Sequence, residues 1–304
     1  MVTDYSRPES LHEALDMFSK ESTGSGRAQG ESLLLLAGGT YLLSSQFAAR
    51  KFRLVSIASL LPKGARREGN RLVIGAGMSF QALAESLLVP EALRDAALGM
   101  VDRNIRNRAT VGGNIGACKS CSSLLPFFLA ARARCRVLGA GGCRPGSVPE
   151  QKTMELADWI SAGTGCNEPG APPASGGFRG IVEEVEFDMP EGRRFAYGRY
   201  SRTSCDLALI SCAVAADIVD GTLENCTIAM GGMAPLPRRF PELEALFEGT
   251  ALPGAGRIEE MALHILTPRG DLRGSADFKR YRAAVLLADT MSALAALDEK
   301  DGQP

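Results

Sequence analysis

The sequence predicts an α+β protein in two parts: an α/β part of about 190 residues, then a part of about 110 with a small antiparallel sheet and helices. Three observations carry this reading. In the first part, paired-glycine turns at 37–40 and 110–114 are each flanked by apolar structure. At 207–219 and 223–231, two strand-like runs flank Asp220-Gly221, a dipeptide suited to a two-residue hairpin turn. After Pro235 the pattern becomes helical over 241–248, 256–266 and 275–298.

The elements follow in order. Residues 9–19 form a helix pattern, with Leu11, Ala14, Leu15 and Phe18 on one face and Glu9-Ser10 as the start signal. Residues 33–36 are a fully apolar strand that runs into the first glycine turn, and 52–57 alternate as a second strand. These make a small β-α-β unit over about the first sixty residues. A strand is expected at 71–76. A helix is expected from Ser79 to Leu88, with Ser79 as N-cap and Pro90 closing it, and further helix runs on to Met100. The second glycine turn comes next, followed by a helix at 124–132 and strands at 134–138 and 181–187. Residues 162–177, rich in Gly and Pro, are expected to be a flexible surface loop. The change of pattern near 190–194 marks a boundary.

Composition removes several functions. The net charge is −1 and the sequence pI about 6.2, so there is no basic field to hold nucleic acid or an anionic membrane. The first residues show no signal-peptide pattern, and the apolar run 33–36 is far too short to span a bilayer; a soluble cytoplasmic protein is expected. Only two histidines occur, His12 and His264, which leaves almost nothing for a histidine-rich metal site or a serine–histidine triad. Eight cysteines without a secretory signal point to free thiols or metal ligands rather than disulfides.

The glycine turns hold the main chemical signal. In Leu36-Ala37-Gly38-Gly39-Thr40-Tyr41-Leu42 a buried strand meets two glycines and a hydroxyl. Paired glycines permit positive φ and let successive N–H groups converge into an anion nest, to which Thr40 adds a donor. Thr110-Val111-Gly112-Gly113-Asn114 repeats the hydroxyl and the glycines and adds an amide side chain. Each could instead be a tight strand-to-helix turn with no ligand. Neither is a Walker loop or a Gly-x-Gly-x-x-Gly fingerprint. On spacing alone the turns say diphosphate and name no cofactor.

These residues resemble the FAD-binding medium subunit of the molybdenum hydroxylases, the xanthine dehydrogenase and carbon monoxide dehydrogenase group. Tyr5-Ser6-Arg7-Pro8 with Ser10-Leu11 and Ala14-Leu15 resembles the family's opening, and Leu36 to Leu42 its first FAD loop. Ile105-Arg106-Asn107 with Ala109 to Ile115 resembles its second FAD loop. Arg199-Tyr200-Ser201-Arg202 with Asp206-Leu207-Ala208, and Asp271-Leu272-Arg273-Gly274-Ser275 with Phe278 and Arg280-Tyr281, resemble its C-terminal segments. The matches are in order along nearly the whole chain. The resemblance implies a two-subdomain FAD-binding fold of the PCMH/VAO-like type over 1–190 (subdomains about 1–60 and 61–190). Residues 191–304 would form a C-terminal domain of the carbon monoxide dehydrogenase flavoprotein type. It implies FAD as cofactor and two partners, a [2Fe-2S] ferredoxin-like subunit and a large molybdopterin-binding subunit. Electrons would pass through FAD to NAD+ or another acceptor, in a purine-type (xanthine) oxidation on the resemblance of the C-terminal stretch.

The implied FAD contacts are Leu36, Ala37, Gly38, Gly39, Thr40, Tyr41, Leu42, Ile105, Thr110, Gly112, Gly113, Asn114, Ser123 and Arg199, with no catalytic residue in this chain. Three depart from the family. Ser123 stands where an acidic residue commonly touches the adenosine, Tyr41 where Asp is frequent, and Arg199 where a lysine lies near the flavin. Cys118 and Cys121 form a C-x-x-C that, with Cys135 and Cys143, is the one candidate metal or [4Fe-4S] cluster; free thiols are the alternative. Cys205, Cys212 and Cys226 are expected in the core. Arg103, Arg106 and Arg108 face the FAD phosphates, an acidic partner or solvent, and Arg273-Gly274-Ser275 is expected to cap the last helix. Gly39→Val and Gly113→Val should each abolish FAD binding in a folded chain. Other readings are a flavin-binding accessory or assembly protein and a self-sufficient flavin oxidoreductase.

Overall fold

The computed structural model describes residues 2–22, 32–44, 51–140, 149–162 and 179–301. The expected surface loop at 162–177 lies almost wholly outside them. Strands β1 (Val2–Ser6), β2 (Ser32–Leu36) and β3 (Phe52–Ser56) form a parallel sheet in the order β1-β3-β2. Helix α1 (Leu11–Ser22) connects β1 to β2 and buries Ala14 and Leu15. Its start is fixed as the sequence suggests: Ser10 Oγ accepts from the Glu13 amide at 3.1 Å, and the Glu13 carboxylate accepts from the Glu9 amide at 2.7 Å. Strand β1 was not expected. Its side chains are mostly exposed, so it carries no apolar alternation, and pairing with β3 alone defines it.

The next segment departs from the expected α/β pattern. Strands β4 (Ala65–Glu68) and β5 (Arg71–Gly75) precede helices α2 (Phe80–Glu85), α3 (Glu91–Leu98), α4 (Arg103–Arg108), α5 (Val111–Ala117) and α6 (Leu125–Ala130). Then come β6 (Arg134–Ala140), β7 (Glu150–Glu155), α7 (Leu156–Ser161) and β8 (Arg179–Asp188). The sheet order is β4-β5-β8-β6-β7 and every pairing is antiparallel. One face is apolar, with Leu72, Ile74, Cys135, Val185 and Phe187 all buried. The other is a charged ladder: Glu184 is paired with Arg66 (2.5 Å) and Arg136 (2.6 Å), and Glu186 lies 3.4 Å from Arg134. Two buried carboxylates are therefore satisfied by guanidinium groups from the flanking strands.

The chain leaves this sheet at Asp188 and enters a third at Arg193. Strands β9 (Arg193–Tyr200), β10 (Ile210–Val219), β11 (Thr222–Gly231) and β12 (Arg238–Arg239) are antiparallel in the order β12-β11-β10-β9. Asp220 and Gly221 both have positive φ, 49° and 75°, the conformation of a type I′ hairpin turn. Helices α8 (Pro241–Phe247), α9 (Ala255–Ile265) and α10 (Ala276–Asp301), with the short β13 (Thr250–Ala251) on β11, complete the chain. Helix α10 covers β9 and β10 through Ala283, Ala284, Leu287 and Met291. Helix α6 covers the other side of β10 and β11, where Thr227 Oγ1 donates to the Ala130 carbonyl at 2.6 Å and Phe127 stacks near Phe195. The third sheet is thus packed between its own helices and a helix of the preceding segment. Among the described residues no helix is long and apolar enough to cross a membrane.

Candidate cofactor-binding site

A cavity of about 890 Å³ opens where the three sheets' helices and loops meet. That volume suits a dinucleotide-sized ligand. All the sequence-predicted contact residues except Leu36 line it. Leu36 is the correction: its side chain packs against Leu34, Phe52 and Leu54, on the far side of the strand from the cavity.

The first glycine turn follows β2. Gly39 has φ +76°, so the backbone changes hand between Gly38 and Thr40 and successive amides converge. Among the described residues the amides of Gly38, Gly39 and Thr40 donate to no acceptor. At Gly38 a Cβ would collide with the carbonyl of Arg108, so the turn lies directly against the end of α4. A concave run of open amides whose walls admit no side chain fits a phosphate group.

The second glycine turn is built differently, which corrects the expectation of a second nest. Thr110 is the N-cap of α5, and Gly112 and Gly113 lie in its first turn. The amides are already used: Val111 donates to Met78 O (3.0 Å), Gly112 to Ala76 O (2.8 Å) and Gly113 to Thr110 Oγ1 (3.1 Å). Gly112 is small because a Cβ would sit 2.7 Å from that of Ala76. This turn therefore fixes α5 against the end of β5 and leaves the Thr110 hydroxyl proton and the Asn114 side chain to face a ligand. Asn114 Oδ1 accepts from Ser122 Oγ at 2.5 Å, which points its amide nitrogen elsewhere. Thr110→Val should cost about 1 kcal/mol through loss of the cap and lower the melting temperature measurably.

Ser123 is buried and lines the cavity, as does Ile105 from α4. Tyr41 is half-buried, with the Lys119 ammonium 4.7 Å from its ring centroid. Arg199 is not the solvated strand residue that a surface β-strand would offer. Its guanidinium donates to the carbonyls of Ser204 and Asp206, its Nε is buried without a partner, and Cδ would meet any side chain at Gly99. It holds the 201–208 loop against the cavity rim.

The arginines before the second glycine turn do not act as one group. Arg106 donates to Gln81 (2.9 Å) and to the Met100 carbonyl (3.0 Å), Arg103 pairs with Glu85, and none of Arg103, Arg106 or Arg108 lines the cavity. The cysteines are also dispersed. Cys118 is the left-handed C-cap of α5, Cys121 lines the cavity, and Cys135 is buried in β6, where burial pushes its thiol up to about 12. Cys143 lies outside the described residues, among which no three His, Cys, Asp or Glu side chains are placed to hold a metal. Cys212 and Cys226 are buried as expected, but Cys205 is exposed because it sits in the loop before β10 rather than in a strand.

Among the described residues two further cations line the cavity: Lys119, which was not singled out from the sequence, and Arg273, which was expected only in the cap of the last helix. Arg273 belongs to a loop held by Asp271, whose carboxylate accepts from the Arg273 amide (2.8 Å) and from the buried Lys279 ammonium (2.7 Å). Ser275 does cap α10, accepting from the Phe278 amide at 3.2 Å. Burial raises Asp271, but its bonds to Lys279 and to the Arg273 amide outweigh this and hold it below the usual carboxylate range. The tether should hold above the unfolded carboxylate pKa and loosen as pH falls through the depressed value, a sign readable by hydrogen exchange at Arg273 and Gly274.

The family of FAD binding domains in molybdopterin dehydrogenases matches residues 1–154, more than half of the chain. The chain belongs to this family. A second domain, the CO dehydrogenase flavoprotein C-terminal domain, matches residues 195–294. FAD is the cofactor of the molybdopterin dehydrogenase FAD-binding domain, which this chain carries. The Escherichia coli protein YgfM is 29% identical over 290 residues, covering 95% of each chain. The carbon monoxide dehydrogenase medium chain of Hydrogenophaga pseudoflava is 27% identical over 305 residues, covering 95% of this chain and 96% of that one. The solved structure of carbon monoxide dehydrogenase from H. pseudoflava lacking the Mo-pyranopterin moiety of the molybdenum cofactor superposes with a TM-score of 0.78 at 27% identity, over 96% and 97% of the two chains.

Proposed function

We propose that this chain is the electron-transfer subunit of a molybdenum hydroxylase complex. It would take electrons from [2Fe-2S] centres in a ferredoxin-like subunit, which is fed by a large molybdopterin-binding subunit, and deliver them to NAD+ or another acceptor. The observation that carries the FAD placement is the run of open amides at Gly38, Gly39 and Thr40 around a left-handed glycine, facing the large cavity. Bound FAD supplies the redox-active ring, and the protein supplies position and charge. The Gly38–Thr40 amides would hold the diphosphate, with Thr110 and Asn114 also lining the cavity. Ser123, a buried hydroxyl, would hydrogen-bond the adenosine side without the charge assistance of a carboxylate. Arg199, fixed by two carbonyls, would place a positive charge at the ring end. The FAD-binding domain would span 1–190 and the C-terminal domain 191–304.

Support for a hetero-oligomer comes from the names of relatives, a carbon monoxide dehydrogenase medium chain and a nicotine 6-hydroxylase medium subunit. A cytoplasmic location and a purine-type (xanthine) substrate, decided in the large subunit, complete the reading. The chain should be expressed together with its genomic neighbours. The expected result is a yellow complex containing a [2Fe-2S] subunit and a molybdenum subunit, whose flavin absorbance bleaches with NADH or with the complex's substrate. Colourless protein that takes up no added FAD would overturn the reading. Yellow protein that never associates with such partners would leave an accessory or self-sufficient flavoprotein in its place.

A further inference from the structure

The C-terminal part of the chain leaves an apolar surface uncovered at the mouth of the cavity. Leu207 lines the cavity and is half exposed, so it stands at the opening. Asp271 and Gly274 close a tight turn through two hydrogen bonds, of 3.0 and 3.1 Å, with Leu272 and Arg273 at its tip. Arg273 lines the cavity and Leu272 is fully exposed. Phe278 and Tyr281 follow three residues apart on one face of α10, and both are exposed. The two segments touch. The Phe278 ring is 6.1 Å from that of Tyr200, and a Cβ at Gly274 would lie 3.2 Å from Phe278 and 3.7 Å from Leu209. Single exposed apolar residues are ordinary, whereas grouped ones mark a contact surface.

The charge on these segments is mostly of one sign. Residues 199–208 and 269–282 contain six arginines, one lysine, three aspartates and no glutamate, in a chain whose net charge is −1. The three carboxylates are already paired, Asp206 with Arg202, Asp277 with Arg280 and Asp271 with the buried Lys279. Arginine and aromatic rings are enriched at protein contacts, while exposed lysine and glutamate are depleted there. The backbone is also fixed beforehand. Arg199 donates to the carbonyls of Ser204 and Asp206, and Lys279 ties Asp271 to the Gly232 carbonyl, so little ordering is left for the moment of contact. We infer that this surface, centred on Leu207, Leu272 and Tyr281, docks the [2Fe-2S] subunit through a face that is apolar at its centre and acidic at its border. The inference rests on the function proposed above. Electron exchange falls steeply with distance, so a protein donor must seat at the mouth of the flavin cavity, where this surface lies.

The test uses the complex coexpressed with its [2Fe-2S] and molybdenum subunits and captured through a tag on the [2Fe-2S] subunit. The native chain is compared with Leu272→Asp, Tyr281→Ala and Leu87→Asp. Leu87 is exposed on the connection between α2 and α3, outside this surface, and serves as the control. Leu272→Asp and Tyr281→Ala should each weaken retention of this chain about 10-fold or more on dilution. Their FAD content and melting temperature should stay native, and Leu87→Asp should be retained like the native chain. Full retention of either surface variant, or an equal loss in Leu87→Asp, would overturn the assignment. Sedimentation of the native chain, but not of Leu272→Asp, with phosphatidylglycerol vesicles would also overturn it, by making the surface a membrane contact. A native chain that associates with no [2Fe-2S] subunit would instead overturn the functional reading, before any variant is compared.

Discussion

Gly39→Val abolishes stoichiometric FAD binding: that is the expected result of adding a branched side chain where φ is +76°. A β-branched residue in the left-handed region is strained by about 1–3 kcal/mol. Its Cβ would also press on Leu43 Cδ1 at 3.1 Å and Leu36 Cδ1 at 3.2 Å. The turn can relax only by returning Gly39's position to negative φ, which turns the converging amides apart. Losing several phosphate hydrogen bonds together should weaken FAD by at least about 100-fold. The chain should stay folded, since the turn is at the cavity surface and the sheets do not depend on it. Equilibrium dialysis against FAD, with circular dichroism as the folding control, measures both. A Gly39→Val protein with one FAD per chain would show that the diphosphate lies elsewhere. Gly113→Val is expected to be milder than its sequence alone suggests. Gly113 is exposed, and its new Cβ would meet only Thr110 Oγ1, at 2.8 Å, so the substitution disturbs a helix cap rather than a nest.

Gly232→Ala should be the most destabilising single change, by about 3 kcal/mol or more. Gly232 has φ +83°, and a Cβ there would collide with the carbonyl of Leu209 at the start of β10. Left-handed strain and a backbone collision act together. The residue is also a junction: its amide donates to Ser120 O at 2.7 Å, and its carbonyl accepts from the buried Lys279 ammonium at 3.2 Å. Displacing it would loosen the loop bearing Ser123 as well as α10, so FAD affinity should fall along with stability. A loss of this size corresponds to roughly 6 °C or more in melting temperature. Gly254→Ala is the matched control, because Gly254 has φ −64° and a Cβ there would meet nothing within 4 Å; it should melt within a degree or two of the native chain. Equal melting of the two variants would refute this account of Gly232.

Local chemistry determined much of this protein. The Ser10 and Ser79 caps, the Asp220-Gly221 hairpin, the apolar strand at 33–36 and the C-terminal helices are all legible because each depends on residues a few positions apart. The first glycine turn is legible for the same reason: two adjacent glycines and a hydroxyl contain the nest within themselves. What the sequence could not decide was set by partners distant along the chain. The antiparallel order β4-β5-β8-β6-β7 requires residues 65–75 to pair with 179–188, and no local period records that. Strand β1 is exposed and exists only through its pairing. Glu184 and Glu186 read as an outer face yet are buried beneath arginines from three other strands. The two glycine turns look alike in sequence and differ in the folded chain, because Ala76 and Met78, more than thirty residues away, take up the amides of the second. Lys119 gains its place only when the loop after α5 folds back over Tyr41. Backbone conformation is a property of neighbours in sequence, whereas which donors and charges remain open to a ligand depends on what the rest of the fold has already satisfied.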